Sequence, residues 1–155
     1  VDDLEFWTGE FQEGRTQDEY QRLYYEEIYK IIHQYKDYSI LGHLDLIQRY
    51  SDTIVPPLEK HFDIIEAILK KVIEDGKGIE INTSSERYKL EDLTPAYDIL
   101  KLYYQLGGEI ITVGSDAHVA KDVGDRLDLS YDVLREIGFK YISTFDKMVP
   151  SFHSF

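Results

Sequence analysis

Apolar β-branched runs alternate along this chain with amphipathic stretches, and each run stops at a small or polar residue. Thr16-Gln17-Asp18-Glu19 has the form of a capping box, with Thr16 as cap and Glu19 reaching back, so a helix opens here. It is expected to run to about Tyr35 with Leu23, Ile28, Ile31 and Ile32 among its apolar positions. Residues 38–41 read as a short strand. Pro56-Pro57 opens a second helix that Lys70, Lys71 and Gly76 bring to an end. Residues 78–82 form the next strand, Thr94-Pro95 starts a helix that ends at Gly107-Gly108, and residues 110–113 are a strand again. Ser130 is expected to cap a helix running to Gly138, and 141–144 is a last short strand. Strands separated by helices imply parallel pairing through right-handed crossovers, an α/β fold with its helices outside. No internal repeat, low-complexity tract or linker interrupts the alternation.

Chemistry gathers where the strands stop. In Ile110-Ile111-Thr112-Val113-Gly114-Ser115-Asp116-Ala117-His118 an apolar run meets a glycine, and an acid and a histidine follow two positions apart. In extended chain such residues point to one side. A carboxylate and an imidazole held that way suit a divalent ion such as zinc, manganese or iron. An ordinary polar turn fits the same short segment. Tyr38-Ser39-Ile40-Leu41-Gly42-His43-Leu44-Asp45 repeats the pattern of strand, glycine, then His and acid. Between the two lies Gly78-Ile79-Glu80-Ile81-Asn82-Thr83-Ser84-Ser85, a third strand with a polar end. Three such ends describe a β/α array with a site at the carboxyl ends of its strands.

Composition narrows the partners. The 155 residues contain no cysteine, so disulfides and thiolate sites are excluded and any metal takes N and O ligands. That also fits a cytoplasmic protein. A formal charge of −13 argues against nucleic acid and against an anionic membrane surface. No apolar run approaches the length of a membrane span or a signal-peptide core.

The ordered set of GHLD at 42–45, IEINTS at 79–84 with Arg87 close behind, and VGSDAH at 113–118 followed by KDVGD at 121–125 resembles the PHP (polymerase and histidinol phosphatase) superfamily. The likeness runs over nearly the whole chain and is strongest to the histidinol-phosphate phosphatases. It implies a distorted (β/α)7 barrel, two or three divalent ions held by His, Asp and Glu, and hydrolysis of a small phosphate ester. His43, Asp116 and His118 would then be metal ligands clustered at one point. Asp116 or His118 would assist proton transfer, and Asp45 would orient His43 or a substrate group. Arg49 and Arg87 would bind the substrate phosphate, for which a planar guanidinium is suited; a surface arginine pairing with one of the 30 acids is the alternative for each.

The resemblance implies a metal-dependent phosphomonoesterase acting on L-histidinol phosphate. Another PHP-type phosphoesterase, such as a protein-tyrosine phosphatase, and a non-catalytic fragment are the rival readings. Family members open with His-x-His, yet His33, His43, His61, His118 and His153 make no such pair. The chain starts at Val1, and a TIM-type barrel typically takes about 250 residues. Residues 1–155 are therefore expected to be the carboxyl-terminal portion of a single barrel domain, with an exposed edge strand that invites dimerisation.

Other residues read more plainly. Glu80 points opposite to Ile79 and Ile81; it faces a polar lumen or makes a structural salt bridge. His33, His61 and His153 match no motif and are expected at the surface or in packing. Tyr20, Tyr24 and Tyr25 at helical spacing are expected in the core or an interface. Asp122, Gly124 and Asp125 form a loop without EF-hand spacing.

Overall fold

Two β–α–β crossovers set the architecture. The computed structural model describes residues 5, 8–50, 58–90 and 92–155. In chain order, helix α1 (Gln17–Gln34) leads into strand β1 (Ile40–Leu41), helix α2 (Phe62–Glu74) into β2 (Gly78–Asn82), and helix α3 (Tyr97–Gln105) into β3 (Ile111–Gly114). Helix α4 (Leu127–Ile137) is followed by β4 (Tyr141–Asp146) and β5 (Val149–Ser154). Strands β1, β2 and β3 form a parallel sheet in that order, with Leu41 opposite Ile79 and Ile79 opposite Ile111.

The core follows from strand alternation. Ile79, Ile81 and Ile111 are fully buried together with Ile65, Ile68, Leu69 and Val72 of α2 and Ile99, Leu100 and Tyr103 of α3. The capping box forms: Thr16 Oγ1 accepts the Glu19 N–H, and Glu19 Oε2 accepts the Thr16 N–H at 2.8 Å. The buried face of α1 is not the aliphatic one, however. Tyr20, Gln21, Tyr24, Tyr25 and Ile32 turn inward, and Ile31 is 47% exposed. The tyrosine rings supply the larger apolar area, and their spacing selects the face.

Several boundaries move. Strand β1 has two residues rather than four, and the Pro56-Pro57 helix start lies outside the described residues. Helix α3 begins at Tyr97, because Thr94 forms a β-bridge with Asn82. Helix α4 begins at Leu127, so the expected cap Ser130 lies inside it and is buried. Strand β4 is longer than expected and, although it packs beside β3, it pairs antiparallel with β5. That hairpin lacks the usual sequence signal. Its turn residues, Lys147 and Met148, both have positive φ (47° and 65°), as a type I′ turn requires, without the Asn-Gly pair that favours it. Among the described residues the parallel sheet is three strands wide, and no helix is long and apolar enough to cross a membrane.

Replacing Lys147-Met148 by Asn-Gly should stabilise the hairpin by roughly 1 kcal/mol, because a side chain with a Cβ is strained in the left-handed region. For a domain of about this size that is ~2–4 °C in Tm. A thermal melt in which the double variant unfolds no later than the parent would contradict the turn assignment.

Candidate metal and phosphate site

Strand β2 sends Ile79 and Ile81 to the helices and Glu80 and Asn82 to the opposite face. Glu80 reaches between the ends of the neighbouring strands. Its Oε2 accepts the backbone N–H of His43 at 3.2 Å, and a side chain on Gly114 would overlap its Oε1. Any side chain at Gly114 would therefore displace the Glu80 carboxylate. Glu80 makes no ion pair among the described residues, so of its two expected roles the structure supports the inward-facing carboxylate. His43 itself has φ 28°, and its Nδ1 is buried without a hydrogen-bond partner.

Arg49 lies in the 3-10 turn Leu46–Tyr50 that follows the GHLD segment, with its side chain only 7% exposed. Its Nη2 donates to Ser84 Oγ at 2.5 Å and to Asn82 Oδ1 at 3.5 Å, and meets Asp116 Oδ2 at 3.3 Å. The guanidinium stacks on the Tyr88 ring at 3.9 Å, and its Nε is buried with no partner. Asn82 in turn caps the 3-10 helix Thr83–Tyr88, accepting from the Ser84 N–H at 3.0 Å. Asn82, Ser84 and Tyr88 were not singled out by sequence; the polar run after the strand was their only signal.

Asp116 follows β3 in a left-handed conformation, φ 50°. Partial burial pushes its carboxyl pKa up, but hydrogen bonds from Arg49 and Asn82 outweigh that, and it is held below the usual value. His118 Nδ1 lies 2.9 Å from the Asp116 carbonyl oxygen. A carbonyl only accepts, so Nδ1 donates here, and Nε2 is the nitrogen that a neutral ring would offer to a metal.

Arg87 is engaged by this same loop. Its Nη2 donates to the Ser115 carbonyl and, at 3.3 Å, to the Asp116 carbonyl. Its Nη1 pairs with Asp125 at 3.2 Å and its Nε lies 3.8 Å from Asp122. The acids after the motif therefore serve an arginine. Its pairing with Asp122 and Asp125 also matches the alternative expected for Arg87, a cation answering nearby acids.

Asp45 departs from its expected role. It is 2% exposed, and its Oδ2 accepts the Ala96 N–H at 2.8 Å, at the start of α3. The dipole and unpaired N–H groups of a helix N-terminus attract a carboxylate there, and no hydrogen bond joins Asp45 to His43 Nδ1. Of the remaining histidines, His33 and His153 are exposed and His61 is buried against the Tyr25 ring.

The donors at the ends of β1, β2 and β3 (imidazole nitrogen, carboxylate oxygen, an orphaned buried His43 Nδ1 and an unpaired Glu80) suit a divalent ion by type. They do not close on one point. Among the described residues no three His, Asp or Glu side chains group tightly enough to hold an ion by themselves. The expected cluster of His43, Asp116 and His118 is therefore loose, because Asp116 is drawn to Arg49 while the His43 backbone is held by Glu80. A groove of about 510 Å³ beside Tyr104, Phe139, Tyr141 and Phe152 lies at the other ends of β3 and β4.

Comparison with known proteins gives the family of this chain. The family model for the PHP domain matches residues 3–84, which carry the His43, Arg49 and Glu80 segments. A probable histidinol-phosphatase of Thermotoga maritima is 32% identical over 86% of this chain and 55% of its own length. A histidinol-phosphatase of Lactococcus lactis is 29% identical over 96% of this chain and 56% of its own. The crystal structure of histidinol phosphate phosphatase from Lactococcus lactis, complexed with zinc, L-histidinol and phosphate, superposes with a TM-score of 0.79 at 26% identity. It is matched over 92% of this chain and 54% of that one. The chain spans about half the length of the curated relatives it matches.

Burial pushes the Asp45 carboxyl up to about 7, against the opposing effect of the Ala96 hydrogen bond. A pKa raised in the folded state means that the native protein binds the proton more tightly than the unfolded chain. The contribution to stability is full below about pH 4 and is lost as the pH rises through about 7. In Asp45→Asn, which keeps an acceptor for Ala96, this decline, on the order of a few kcal/mol, should vanish. Denaturant unfolding between pH 4 and 8 measures it, and parallel slopes for parent and variant would refute the assignment.

Proposed function

Because the chain belongs to the PHP domain family, we propose that it is the carboxyl-terminal portion of a metal-dependent phosphomonoesterase whose substrate is L-histidinol phosphate. The substrate follows the relatives from Thermotoga maritima and Lactococcus lactis. The three-stranded sheet is then an arc of a (β/α) barrel whose remaining strands lie outside residues 1–155. The observation that carries the reading is the convergence of Asp116 and a buried guanidinium, Arg49, at the carboxyl ends of parallel strands, with the His118 ring anchored through Nδ1 to the Asp116 carbonyl.

The residues divide the work by chemistry. His43, Asp116 and His118 would hold divalent ions (zinc, manganese or iron), two or three of them in the whole enzyme. Bound there, such ions polarise phosphoryl oxygens and make water more acidic. Arg49, fixed by Ser84, Asn82 and the Tyr88 face, offsets charge that grows on the phosphoryl oxygens during displacement. Its preorganisation means that no side chain needs to reorient as the charge moves. Asp116 is ionised at neutral pH and pairs with Arg49; with a metal bound it would share its charge between the two. As a ligand it is a poor free base, so proton transfer by Asp116 or His118 is subordinate to binding. The open ligand set favours one further reading: this chain by itself is a weak catalyst.

Two outcomes are expected. Assayed on histidinol phosphate with manganese or zinc beside the Lactococcus lactis relative, this chain should be slower by more than about tenfold, since losing even a residue that supports a metal ligand typically costs 10–100-fold. A chain that matches the relative would show that its site is complete. Arg49→Ala should lower kcat/KM by a further 10²–10³-fold, the usual effect of removing one preorganised donor. An unaltered kcat/KM would remove Arg49 from the site.

A further inference from the structure

Exposed apolar side chains are not spread evenly over this molecule. Among the described residues eleven large ones stand exposed, and five of these, Tyr104, Tyr141, Met148, Val149 and Phe152, belong to the β4–β5 hairpin and the adjacent end of α3. The cross-strand register puts Tyr141, Phe145, Pro150 and Phe152 on one face of the hairpin. Ile142, on the other face, packs against the core. At the base of the hairpin, Tyr141 and Phe152 line the groove together with Tyr104 and Phe139. A two-stranded ribbon is marginal in water unless such a face is covered.

The charges at the two ends of the hairpin point to what covers it. Glu109 and Lys140 line the groove at the base, and Asp146 and Lys147 stand at the tip. All four are exposed, and none makes an ion pair among the described residues. Six steps of extended chain, about 20 Å, separate Lys140 from Asp146, so the two cannot answer each other within one molecule. A second copy, turned through a two-fold axis across the hairpin, sets tip against base. Asp146 then meets the partner's Lys140, and Lys147 meets the partner's Glu109.

We propose that the β4–β5 hairpin is a self-association surface, on which a second copy of this chain packs face to face and antiparallel, tip against base. The inference is independent of the metal and phosphate reading.

An isologous contact uses one patch twice, so the patch has to complement itself. This one does so in shape, with an exposed Met148-Val149 tip for an aromatic groove of about 510 Å³, and in charge, with one acid and one base at each end. The charge balance matters because two chains of formal charge −13 repel each other. Association therefore needs a patch whose own charges cancel and pair. Pairing through the outer edge of β5 is disfavoured. Around a two-residue turn, Asp146 and Val149 exchange the first hydrogen bonds, so Pro150, Phe152 and Ser154 direct their backbone groups to that edge. Pro150 has no N–H to give there. The aromatic face remains as the surface of contact.

The test is sedimentation equilibrium of the 155-residue chain from about 1 μM to about 1 mM, where a monomer–dimer equilibrium is expected. Phe152→Asp, at a site exposed in the monomer, should leave the circular dichroism unchanged. It should weaken dimerisation more than about tenfold, since a carboxylate would be buried against aromatic rings. Asp146→Lys should weaken it about tenfold, as each of two exposed pairs becomes repulsive. Adding Lys140→Asp reverses tip and base together and should bring the dimer back to within about threefold of the parent. A chain that stays monomeric throughout the range would overturn the proposal. So would a dimer that Phe152→Asp leaves intact, which would place the contact elsewhere, at a free edge of β1 or β3. A double reversal no tighter than Asp146→Lys alone would overturn the tip-to-base arrangement.

Discussion

A guanidinium that is 93% enclosed cannot shed its charge. Leaving such a cation unpaired would cost several kcal/mol, so its neighbours are constrained to answer it. Arg49 draws an acceptor from β2 in Asn82, a hydroxyl from the following turn in Ser84, and a carboxylate from beyond β3 in Asp116. Three elements distant in sequence are thereby tied at the same end of the sheet. The Tyr88 face closes the remaining side. Without this cation, the Asp116 carboxylate would lose its ion pair.

What the sequence shows of this arrangement is the part that depends on local pattern. Strand alternation identifies Ile79 and Ile81 as core and Glu80 as facing the other way. The capping box at Thr16 and Glu19 is a local signal, and it is found. The parallel order of the first three strands follows from their separation by helices. What escapes the sequence depends on partners far along the chain. Asp45 looks like a companion of His43 because it is two residues away, but a helix that starts fifty residues later offers it an N–H in a buried place. Arg87 reads in the sequence as a phosphate contact or a partner of some acid, while the carbonyls that also engage it belong to a loop beyond the next strand. The hairpin at Lys147-Met148 was hidden for the opposite reason: its residues are poor for the conformation they adopt, so tertiary packing overrides local preference.

The charge balance sharpens the role of these arginines. With 30 acidic and 17 basic residues, the chain repels anions at long range. That field is screened within a Debye length of about 8 Å at physiological ionic strength. An enclosed guanidinium in a medium of lower dielectric acts at short range with much less screening. Under the proposed function, recognition of a phosphate ester would therefore depend on local, preorganised cations and on any metal the site holds, and not on net attraction. Among the arginines of the candidate site, Arg49 is the one whose Nε lies buried without an acceptor, and Arg87 is the one whose bonds are consumed by the ligand loop. The two residues look equivalent in the sequence because both follow a strand end by a few positions. They differ in their partners: Arg87 donates to two main-chain carbonyls, whereas Arg49 donates to side chains drawn from β2, its following turn and the loop after β3.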